Sequence, residues 1–208
     1  MLIDSLFPNF TCLACGDEIN VSGSRHVCDS CFSQFKAAKP RKVPLPPAGV
    51  AYSAFFYSGP VPKLVLGLKY SNDGVVAQAF APHMAAILEE SYDLIIPVPL
   101  SKRRGRQRGY NQAALLAGEL SRLMAVPAYE GMERTKDTAQ QYVLDPAQRA
   151  ANVAGAFAVK AGFCVEGKRV LLVDDILTTG ATAIECAKIL TETGAAAVEI
   201  ITFARAAL

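Results

Sequence analysis

The segment RVLLVDDILTTGAT, residues 169–182, holds the side chains best suited to chemistry. Its apolar run, residues 170–173, predicts a buried strand, and two acidic residues, Asp174 and Asp175, stand where that strand is expected to end. A threonine-rich turn over residues 178–182 then leads into a helical pattern. This order places carboxylates and hydroxyls together at the carboxyl end of a strand.

The turn after the carboxylates has the composition of a phosphate site. Hydroxyls and backbone N–H groups at a helix N-terminus bind phosphate, and the positive end of the helix dipole assists them. A glycine in the turn lets the backbone approach its ligand closely. The residues that we assign to the phosphate are Thr178, Thr179, Gly180, Ala181 and Thr182.

The two adjacent carboxylates suit a sugar. Asp174 and Asp175 can accept hydrogen bonds from the vicinal hydroxyls of a ribose, and they can also supply oxygen ligands to Mg²⁺. Together, the carboxylates and the turn predict a site for a ribose 5-phosphate. In the structural alternative, the aspartates only end the strand and a threonine only caps the helix.

A cluster of positive charge follows the apolar segment DLIIPVPL, residues 93–100, which predicts another buried strand. Five cations stand within seven positions of each other, namely Lys102, Arg103, Arg104, Arg106 and Arg108. A flexible cationic loop at the carboxyl end of a strand is where α/β folds bind anions, and Arg gives bidentate contacts to phosphate oxygens. We therefore expect this loop to neutralise a pyrophosphate group. A solvated basic loop and a site for the nucleic-acid backbone are the alternatives.

A polar, weakly periodic segment covers residues 134–152. A loop of this length inside a compact domain is usually functional or disordered, so we expect a lid over the substrate. Further candidates for phosphate or pyrophosphate contacts are Lys69, Arg134, Gln140, Arg149 and Asn152. Ordinary surface roles are the alternative for Lys69 and Arg149.

Four of the six cysteines form two Cys-x2-Cys pairs within the first 31 residues. Cys12, Cys15, Cys28 and Cys31 have the spacing of two knuckles that supply four thiolates to one tetrahedral, structural Zn²⁺. Because so short a segment cannot build its own core, metal binding would provide its folding energy. Two disulfides are the alternative, which a reducing cytosol disfavours. Four thiolates also suit iron, although zinc is the commoner occupant.

The composition predicts one folded domain of ordinary size with a small appendage. The chain has 208 residues, of which 51% are hydrophobic and 19% charged, which is enough for a core. Its net charge of +2 neither favours nor excludes nucleic acid as a ligand. The sequence shows neither the positive region of a secretory signal nor the ~20 apolar residues of a membrane span, so we expect a cytoplasmic protein.

The remaining pattern alternates strands with helices, which predicts right-handed crossovers and a mostly parallel, twisted sheet in an α/β domain. A proline-rich linker, residues 37–49, separates the cysteine segment, residues 1–36, from this main domain, residues 50–208. Strands are predicted over 50–57, 93–100, 126–132, 155–159, 170–173 and 197–204, and helices over 61–70, 75–90, 111–125 and 181–193.

The motif at residues 169–182 resembles the phosphoribosyl pyrophosphate (PRPP) binding signature of type I phosphoribosyltransferases, in which an apolar strand and Asp-Asp precede Thr-Gly-x-Thr. The resemblance implies that Asp174 and Asp175, the candidate catalytic residues, contact the ribose hydroxyls. It also implies that residues 178–182 cradle the 5-phosphate and that Mg²⁺ accompanies PRPP.

Nearly the whole chain resembles the ComF family of competence-associated, phosphoribosyltransferase-like proteins. The motifs that carry the resemblance are the two Cys-x2-Cys pairs, LKY at 68–70, PVPL at 97–100, RQRGYNQ at 106–112, residues 134–141, Arg149 with Asn152, and VDDILTTGAT at 173–182. The resemblance implies a type I phosphoribosyltransferase fold, an N-terminal zinc ribbon and a link to DNA uptake in natural transformation. Through some relatives it also implies single-stranded DNA and other DNA-uptake proteins as partners.

Two functional hypotheses follow. In the first, the protein is a Mg²⁺-dependent phosphoribosyltransferase that transfers ribose 5-phosphate from PRPP to an unidentified acceptor through an oxocarbenium-like transition state. In the second, it is a non-catalytic competence factor that binds single-stranded DNA and keeps the PRPP site as a sensor or scaffold. Single-strand binding predicts aromatic residues beside the cations, and the sequence offers only Tyr110 next to the basic segment.

Overall fold

A computed structural model describes residues 11–19, 26–46, 49–70, 74–136 and 151–206 of the chain. The strands are β1 (Lys42–Pro44), β2 (Val50–Phe56), β3 (Leu94–Pro97), β4 (Met132–Arg134), β5 (Phe157–Val159), β6 (Arg169–Leu177) and β7 (Ala197–Arg205). The helices are α1 (Asp29–Phe32), α2 (Val61–Tyr70), α3 (Val75–Ala85), α4 (Lys102–Arg108), α5 (Gln112–Met124) and α6 (Ala181–Glu192).

The main sheet has five strands in the order β1-β2-β7-β6-β3. Strand β2 pairs with β7, β7 with β6 and β6 with β3, all in parallel, whereas β1 pairs with β2 in the antiparallel direction. Strands β4 and β5 form a separate antiparallel pair. The prediction of a mostly parallel α/β sheet is therefore confirmed.

Helices cover both faces of this sheet because its central strands are apolar on both sides. In β6, Leu171 and Val173 pack in one buried cluster with α2, α3 and α5, while Val170 and Leu172 pack in a second cluster with α6. Successive residues of a strand point to opposite faces, so four consecutive apolar residues fill both clusters. The strand that leads to the carboxylates is thus fixed from both sides.

Strand β6 is longer than the sequence predicts. It does not end at the carboxylates but continues through Asp174 and Asp175 to Leu177. The physical reason is its neighbour β7, which extends to Arg205 and lies opposite Leu177 in the parallel register. The carboxylates therefore sit within the last hydrogen-bonded part of a strand, where their backbone is held in place.

The cationic segment is a helix, so the prediction of a flexible loop is wrong. Ser101 caps the N-terminus of α4, because its Oγ accepts a hydrogen bond of 3.3 Å from the backbone N–H of Arg104. At the other end Gly109 has a φ of 77°, and its N–H donates to the carbonyl of Gly105 at 2.8 Å. These two caps order a charged segment that has no buried residue of its own.

Three other elements differ from their predicted bounds by three residues or more, and the first is strand β3, which ends at Pro97 rather than at Leu100. Helix α3 ends at Ala85 rather than near residue 90, since the backbone N–H groups of Ile87 and Leu88 bond to carbonyls three residues earlier and tighten the chain into a turn. The strand predicted over 126–132 is wrong, because Ala128 makes only an isolated bridge to Ile95 and strand β4 starts at Met132.

The predicted linker contributes to the sheet. Within it, Lys42–Pro44 forms strand β1 at the sheet edge, and Ala37 makes a β-bridge to Phe55. The guanidinium of Arg205 donates to the carbonyl oxygens of Lys39 and Pro40 at 3.0 and 3.1 Å. A large part of this proline-rich segment is thus bound to the main sheet, while the domain boundaries themselves stay a prediction.

Among the described residues we find no helix with the length and apolar character needed to span a lipid bilayer.

Candidate functional site

A cavity of about 540 Å³ lies where several elements of the sheet end. Its walls include Asp174 and Asp175 near the end of β6, the segment 98–100 after β3, and Tyr57 after β2. Parallel strands present their carboxyl ends at the same edge, and open α/β sheets bind ligands in the crevice outside that edge. The cavity is therefore in the position that the sequence predicts for a ligand site.

The two carboxylates of the cavity are connected to each other and to a lysine. The backbone N–H of Asp175 donates to Asp174 Oδ1 at 2.8 Å. The Nζ atom of Lys69, near the end of α2, lies 2.9 Å from Asp175 Oδ2. Lys69 is a predicted phosphate contact, and the structure adds that its ammonium forms an ion pair with a buried carboxylate.

Their surroundings shift the pKa values of the two carboxyl groups in opposite directions. Burial, reinforced by the negative charge of Asp175, raises the pKa of Asp174 well above its ordinary value. Burial acts on Asp175 in the same sense, but the positive charge of Lys69 outweighs it and lowers the pKa of Asp175. Asp175 therefore carries the negative charge of the pair, and Asp174 keeps its proton to a higher pH.

The predicted phosphate turn lines the same cavity in full, with Thr178, Thr179, Gly180, Ala181 and Thr182. Helix α6 begins at Ala181, and the first turn of a helix leaves backbone N–H groups without partners within the helix. Gly180 has a φ of 77°, and an added Cβ there would lie 2.8 Å from Leu45 Cδ1. The turn thus needs glycine for both its backbone conformation and the close packing of Leu45.

Two of the five predicted cations of α4 reach the cavity. Arg104 and Arg108 are half-buried in its wall. The Nη1 atom of Arg108 donates to Gln112 Oε1 at 2.8 Å, which fixes the direction of the guanidinium. The other three cations are exposed and are not among the lining residues; they are Lys102, Arg103 and Arg106.

The remaining candidates divide into three groups. Lys69 and Arg134 line the cavity, and the guanidinium carbon of the buried Arg134 lies 5.2 Å from the ring centroid of Phe157. Asn152 is described but is not among the lining residues. Gln140, Arg149 and most of the predicted lid lie outside the described residues.

Sequence reasoning missed several residues of the cavity wall, namely Tyr57, Leu66, Tyr70 and Gln112. Tyr57 directly follows β2, so the same strand-end rule that located the carboxylates could have found it. Tyr70 adjoins Lys69 at the end of α2, and Leu66 lies one turn earlier on the same helix. Their position in the wall depends on how α2 packs, which periodicity alone does not fix.

A second candidate site is formed by Cys12, Cys15, Cys28 and Cys31, whose sulfur atoms all lie within 4.8 Å of one another. The Sγ atoms of Cys15 and Cys28 are 3.8 Å apart, and the backbone N–H of Cys28 donates to Cys12 Sγ at 3.3 Å. Burial raises the pKa of the Cys12 thiol, but hydrogen bonds from backbone groups outweigh this effect and lower it to about 6. The pKa values of the Cys15 and Cys31 thiols are instead raised, so it is the closeness of the four sulfur atoms that makes this group a candidate metal site.

Comparison with known proteins gives a consistent result. Residues 110–207 match the phosphoribosyl transferase domain. Over 155 residues the chain is 35% identical to the DNA utilization protein YhgH of Escherichia coli K12, covering 69% of this chain and 66% of that protein. The DNA utilization protein YhgH of Salmonella typhi is 32% identical over 168 residues, which cover 74% of this chain and 71% of that protein. The competence protein F of Haemophilus influenzae is 40% identical over 118 residues, which cover 55% of this chain and 51% of that protein. This chain belongs to the ComF family.

The ComF-family assignment confirms the resemblance seen in the sequence, together with the phosphoribosyltransferase fold. The matched segment spans just under two thirds of the E. coli relative and about half of the H. influenzae relative. Among solved structures, adenine phosphoribosyltransferase from Thermoanaerobacter pseudethanolicus shares 19% identity over 84% of this chain and 85% of that chain, with a TM-score of 0.44.

The motifs that carried the ComF resemblance meet in the cavity although they are far apart in the sequence. LKY supplies Lys69 and Tyr70, PVPL ends at Leu100 in the wall, and RQRGYNQ supplies Arg108 and Gln112. With the Asp-Asp motif of β6 they form one continuous lining. A single site thus accounts for four separated motifs of this ComF-family chain.

Proposed function

We propose that this chain binds PRPP in the cavity at the carboxyl ends of β3 and β6, as a phosphoribosyltransferase-like protein that serves DNA uptake in natural transformation. One observation carries the proposal: the carboxylate pair, the phosphate turn and two arginines of α4 line one cavity of about 540 Å³. The names of the relatives, competence protein F and DNA utilization protein, support the biological part.

Each subsite takes one part of the ligand in this proposal. Asp174 and Asp175 accept hydrogen bonds from the two ribose hydroxyls, and the turn over residues 178–182 binds the 5-phosphate. Arg104 and Arg108 bind the pyrophosphate, for which the planar guanidinium offers bidentate contacts. Arg134 adds a further positive charge to the wall.

The activity that we propose is phosphoribosyl transfer. A nucleophilic atom of the acceptor forms a bond to C1 of the ribose, the bond from C1 to the pyrophosphate oxygen breaks, and pyrophosphate leaves with the bonding electron pair. Positive charge develops at C1, and the anionic Asp175 stabilises it electrostatically. Arg104 and Arg108 stabilise the negative charge that accumulates on the leaving group.

The donor set of the cavity fits Mg²⁺, because Asp174 and Asp175 offer carboxylate oxygens, the ligands that this cation prefers. Bound with PRPP, Mg²⁺ would neutralise pyrophosphate charge at these residues. The raised pKa of Asp174 is consistent with a carboxylate that becomes fully charged when a positive partner arrives.

The four cysteines fit a structural Zn²⁺, which we propose as their ligand. In a tetrahedral site with zinc–sulfur distances of about 2.3 Å, neighbouring sulfur atoms lie about 3.8 Å apart. The Sγ atoms of Cys15 and Cys28 are at 3.8 Å. In this proposal, residues 1–36 form a zinc ribbon beside the phosphoribosyltransferase-like domain of residues 50–208.

Calorimetric titration of the zinc-loaded protein with PRPP tests the main proposal. We expect binding that requires Mg²⁺ and that disappears in the variant Asp174→Asn/Asp175→Asn, because the ribose hydroxyls lose their charged acceptors. Glu166→Gln is the matched control, since Glu166 is an exposed acid outside the cavity lining, and it should bind PRPP like the wild type. A wild-type protein that does not bind millimolar PRPP would overturn the proposal.

A second candidate function, binding of single-stranded DNA, is favoured by the outer face of α4. Lys102, Arg103 and Arg106 are exposed and remain outside the cavity, so their charges are accessible to a long anion. A nucleic-acid backbone would bind such a charged row with strong salt dependence. The protein could combine both functions or keep PRPP as a sensor.

Fluorescence anisotropy with a labelled oligodeoxynucleotide, measured over a range of salt concentrations, tests this second function. The variant Lys102→Ala/Arg103→Ala/Arg106→Ala should bind more weakly and reduce the salt slope by about 2, while its PRPP affinity stays unchanged. Lys160→Ala/Lys168→Ala, which removes two exposed cations elsewhere, is the control. Equal DNA affinity of the triple variant and the wild type would exclude α4 as the DNA surface.

A further inference from the structure

The guanidinium of Arg108, in the wall of the cavity, is held by contacts from two other helices. Its Nη1 atom donates a hydrogen bond of 2.8 Å to Gln112 Oε1 on α5. Its central carbon lies 5.3 Å from the ring centroid of Tyr70 on α2, a cation–π geometry. A long side chain that is free in solvent loses conformational entropy when it binds a ligand. Because both contacts are already made, Arg108 has lost part of this freedom before a ligand binds.

Gln112 has a fixed position from which to direct this guanidinium. It is only 5% exposed although its side chain is polar, and it is the first residue of α5. The residue before it, Asn111, accepts from the backbone N–H of Ala113 and donates to the carbonyl of Val98, both at 3.0 Å. Val98 directly follows β3 and lines the cavity. The start of α5, with Gln112, is thus tied to the strand end that forms the cavity.

The hydrogen-bond partner of Arg108 is a neutral amide rather than a carboxylate. Within the described residues Arg108 forms no ion pair, whereas the ammonium of Lys69 is paired with Asp175. An amide oxygen accepts a hydrogen bond without cancelling the positive charge of the guanidinium. A carboxylate in the same place would instead neutralise that charge and occupy the guanidinium with bidentate contacts. The residue type at position 112 therefore directs Arg108 and leaves its charge available to an anion.

We propose that Gln112 is a positioning residue, which directs Arg108 toward the pyrophosphate of bound PRPP without neutralising it. This inference rests on the proposed function and adds how its pyrophosphate subsite is organised. A charged ligand is bound best by a charge that is held at the right distance and in the right orientation. The role also explains why a polar side chain occupies the buried first position of α5.

Calorimetric titration of the zinc-loaded protein with PRPP in the presence of Mg²⁺ tests this role. We expect Gln112→Leu to weaken binding by about tenfold, the effect of one hydrogen bond to a charged group. Gln112→Glu should weaken it further, because its carboxylate neutralises Arg108 and repels the anion. Ribose 5-phosphate lacks the pyrophosphate, so Gln112→Leu and the wild type should bind it equally. Gln107→Glu, which adds the same charge at an exposed position of α4 outside the cavity lining, should bind PRPP like the wild type.

Two further measurements separate positioning from general support of the fold. Gln112→Glu should melt at a higher temperature than Gln112→Leu, since it leaves the half-buried Arg108 an acceptor, and yet it should bind PRPP more weakly. A purely structural role would give melting temperature and affinity the same order. Adding Gln112→Leu to Arg108→Leu should cause no further loss of PRPP affinity, because Gln112 acts through Arg108.

Each contrary result has a distinct meaning. If the wild type binds PRPP and Gln112→Leu binds it equally well, or if Gln112→Glu binds it more tightly than Gln112→Leu, the positioning role is wrong while the proposed function stands. An equal loss of affinity for ribose 5-phosphate, or additive losses in the double variant, would overturn the role in the same way. If the wild type does not bind PRPP, the proposed function fails and this inference fails with it.

Discussion

At the scale of single residues, the site is governed by the different environments of Asp174 and Asp175. Asp175 is buried and Asp174 is half-buried, and this loss of solvation by itself favours the protonated form of both. Lys69 reverses this preference for Asp175 alone, since its ammonium lies 2.9 Å from Oδ2. Asp175 is therefore compensated by an ion pair, whereas the hydrogen bond from the Asp175 backbone N–H and the charge of Lys69 only partly offset the rise in the pKa of Asp174.

Replacing the two carboxylates one at a time should change stability in opposite directions. At pH 7 we expect Asp174→Asn to raise the free energy of unfolding by about 1 kcal/mol, because it removes a half-buried charge that the fold disfavours. Asp175→Asn should lower the free energy of unfolding by a similar amount, because Lys69 loses its partner. Urea denaturation of both variants and the wild type measures the two differences.

The stabilities of the two variants relative to the wild type should change in opposite directions with pH. Asp174 has a raised pKa in the folded state, so the benefit of Asp174→Asn should develop as the pH rises above the ordinary value of 3.8 and should vanish below it. Asp175 has a lowered folded pKa, so the cost of Asp175→Asn should be present above 3.8 and shrink as the pH falls. Variants that destabilise equally at pH 7 would contradict this account of the site.

Substitution of Lys69 tests how much its ion pair with Asp175 contributes to stability. Lys69→Met should lower the free energy of unfolding by about 1–3 kcal/mol, because it leaves a buried carboxylate without its cation. Lys63→Met, at an exposed position of the same helix, should have nearly no effect. Adding Asp175→Asn to Lys69→Met should recover much of the loss in a double-mutant cycle, and strictly additive effects would show that the two side chains do not interact.

At the scale of elements, the short helix α4 holds a run of like charges in a defined conformation beside the cavity. Its caps, Ser101 and Gly109, fix where it starts and ends, and its half-buried arginines line the same cavity as the carboxylates. Gly105 lies within the helix, and an added Cβ there would meet nothing within 4 Å. Helix α4 therefore needs glycine at position 109, where φ is positive, but has room for a side chain at position 105.

Substitution of these glycines distinguishes a helix from a loop. Gly105→Ala should raise the free energy of unfolding by about 0.5–1 kcal/mol, since alanine is the better helix former and has room. Gly109→Ala should lower it by about 1 kcal/mol, since its φ of 77° suits glycine only. Thermal and urea denaturation measure both changes. A near-zero effect at both positions would indicate that the segment is not a stable helix.

The elements also show what could be foreseen from the sequence. Strand β6, the phosphate turn and α6 were predictable because apolar residues, carboxylates and threonines follow one another locally. The caps of α4 are visible in the sequence too, but the five cations suggested a flexible, anion-binding loop instead. The contact between Tyr70 and Arg108 could not be predicted, because it joins residues 38 positions apart on two different helices.

At the scale of the whole molecule, an aromatic cluster links the cysteine segment to the main sheet. The ring of Phe35, just after the second cysteine pair, lies 5.1 Å from that of Phe55 on β2 and 5.4 Å from that of Phe80 on α3. Phe55 in turn contacts Phe203 on β7 with a centroid distance of 5.6 Å. Cys12 and Cys31 belong to the same buried cluster as these rings, so the cysteine segment and the main sheet share one core.

If the four cysteines hold the proposed zinc, the shared core makes the stability of the main sheet depend on that metal. We expect chelation of zinc, or Cys12→Ser, to lower the melting temperature of the main domain by several degrees, because about 2–4 °C are lost per kcal/mol in a protein of this size. Cys164→Ser, at an exposed cysteine remote from the cluster in the sequence, should leave both metal content and melting temperature unchanged. Calorimetric melting with metal analysis measures each variant.

The number of transitions in the melting curve tests whether the cysteine segment and the main sheet unfold together. If the rings of Phe35, Phe55 and Phe80 transmit it, the metal-free protein should still melt in one transition, shifted to lower temperature. If the module instead unfolds alone at low temperature and the main transition stays where it was, the shared cluster contributes no coupling. In that case the affinity for PRPP should not depend on zinc. If the core is shared, loss of zinc should instead loosen β2, which is followed by Tyr57 in the cavity wall, and so weaken PRPP binding.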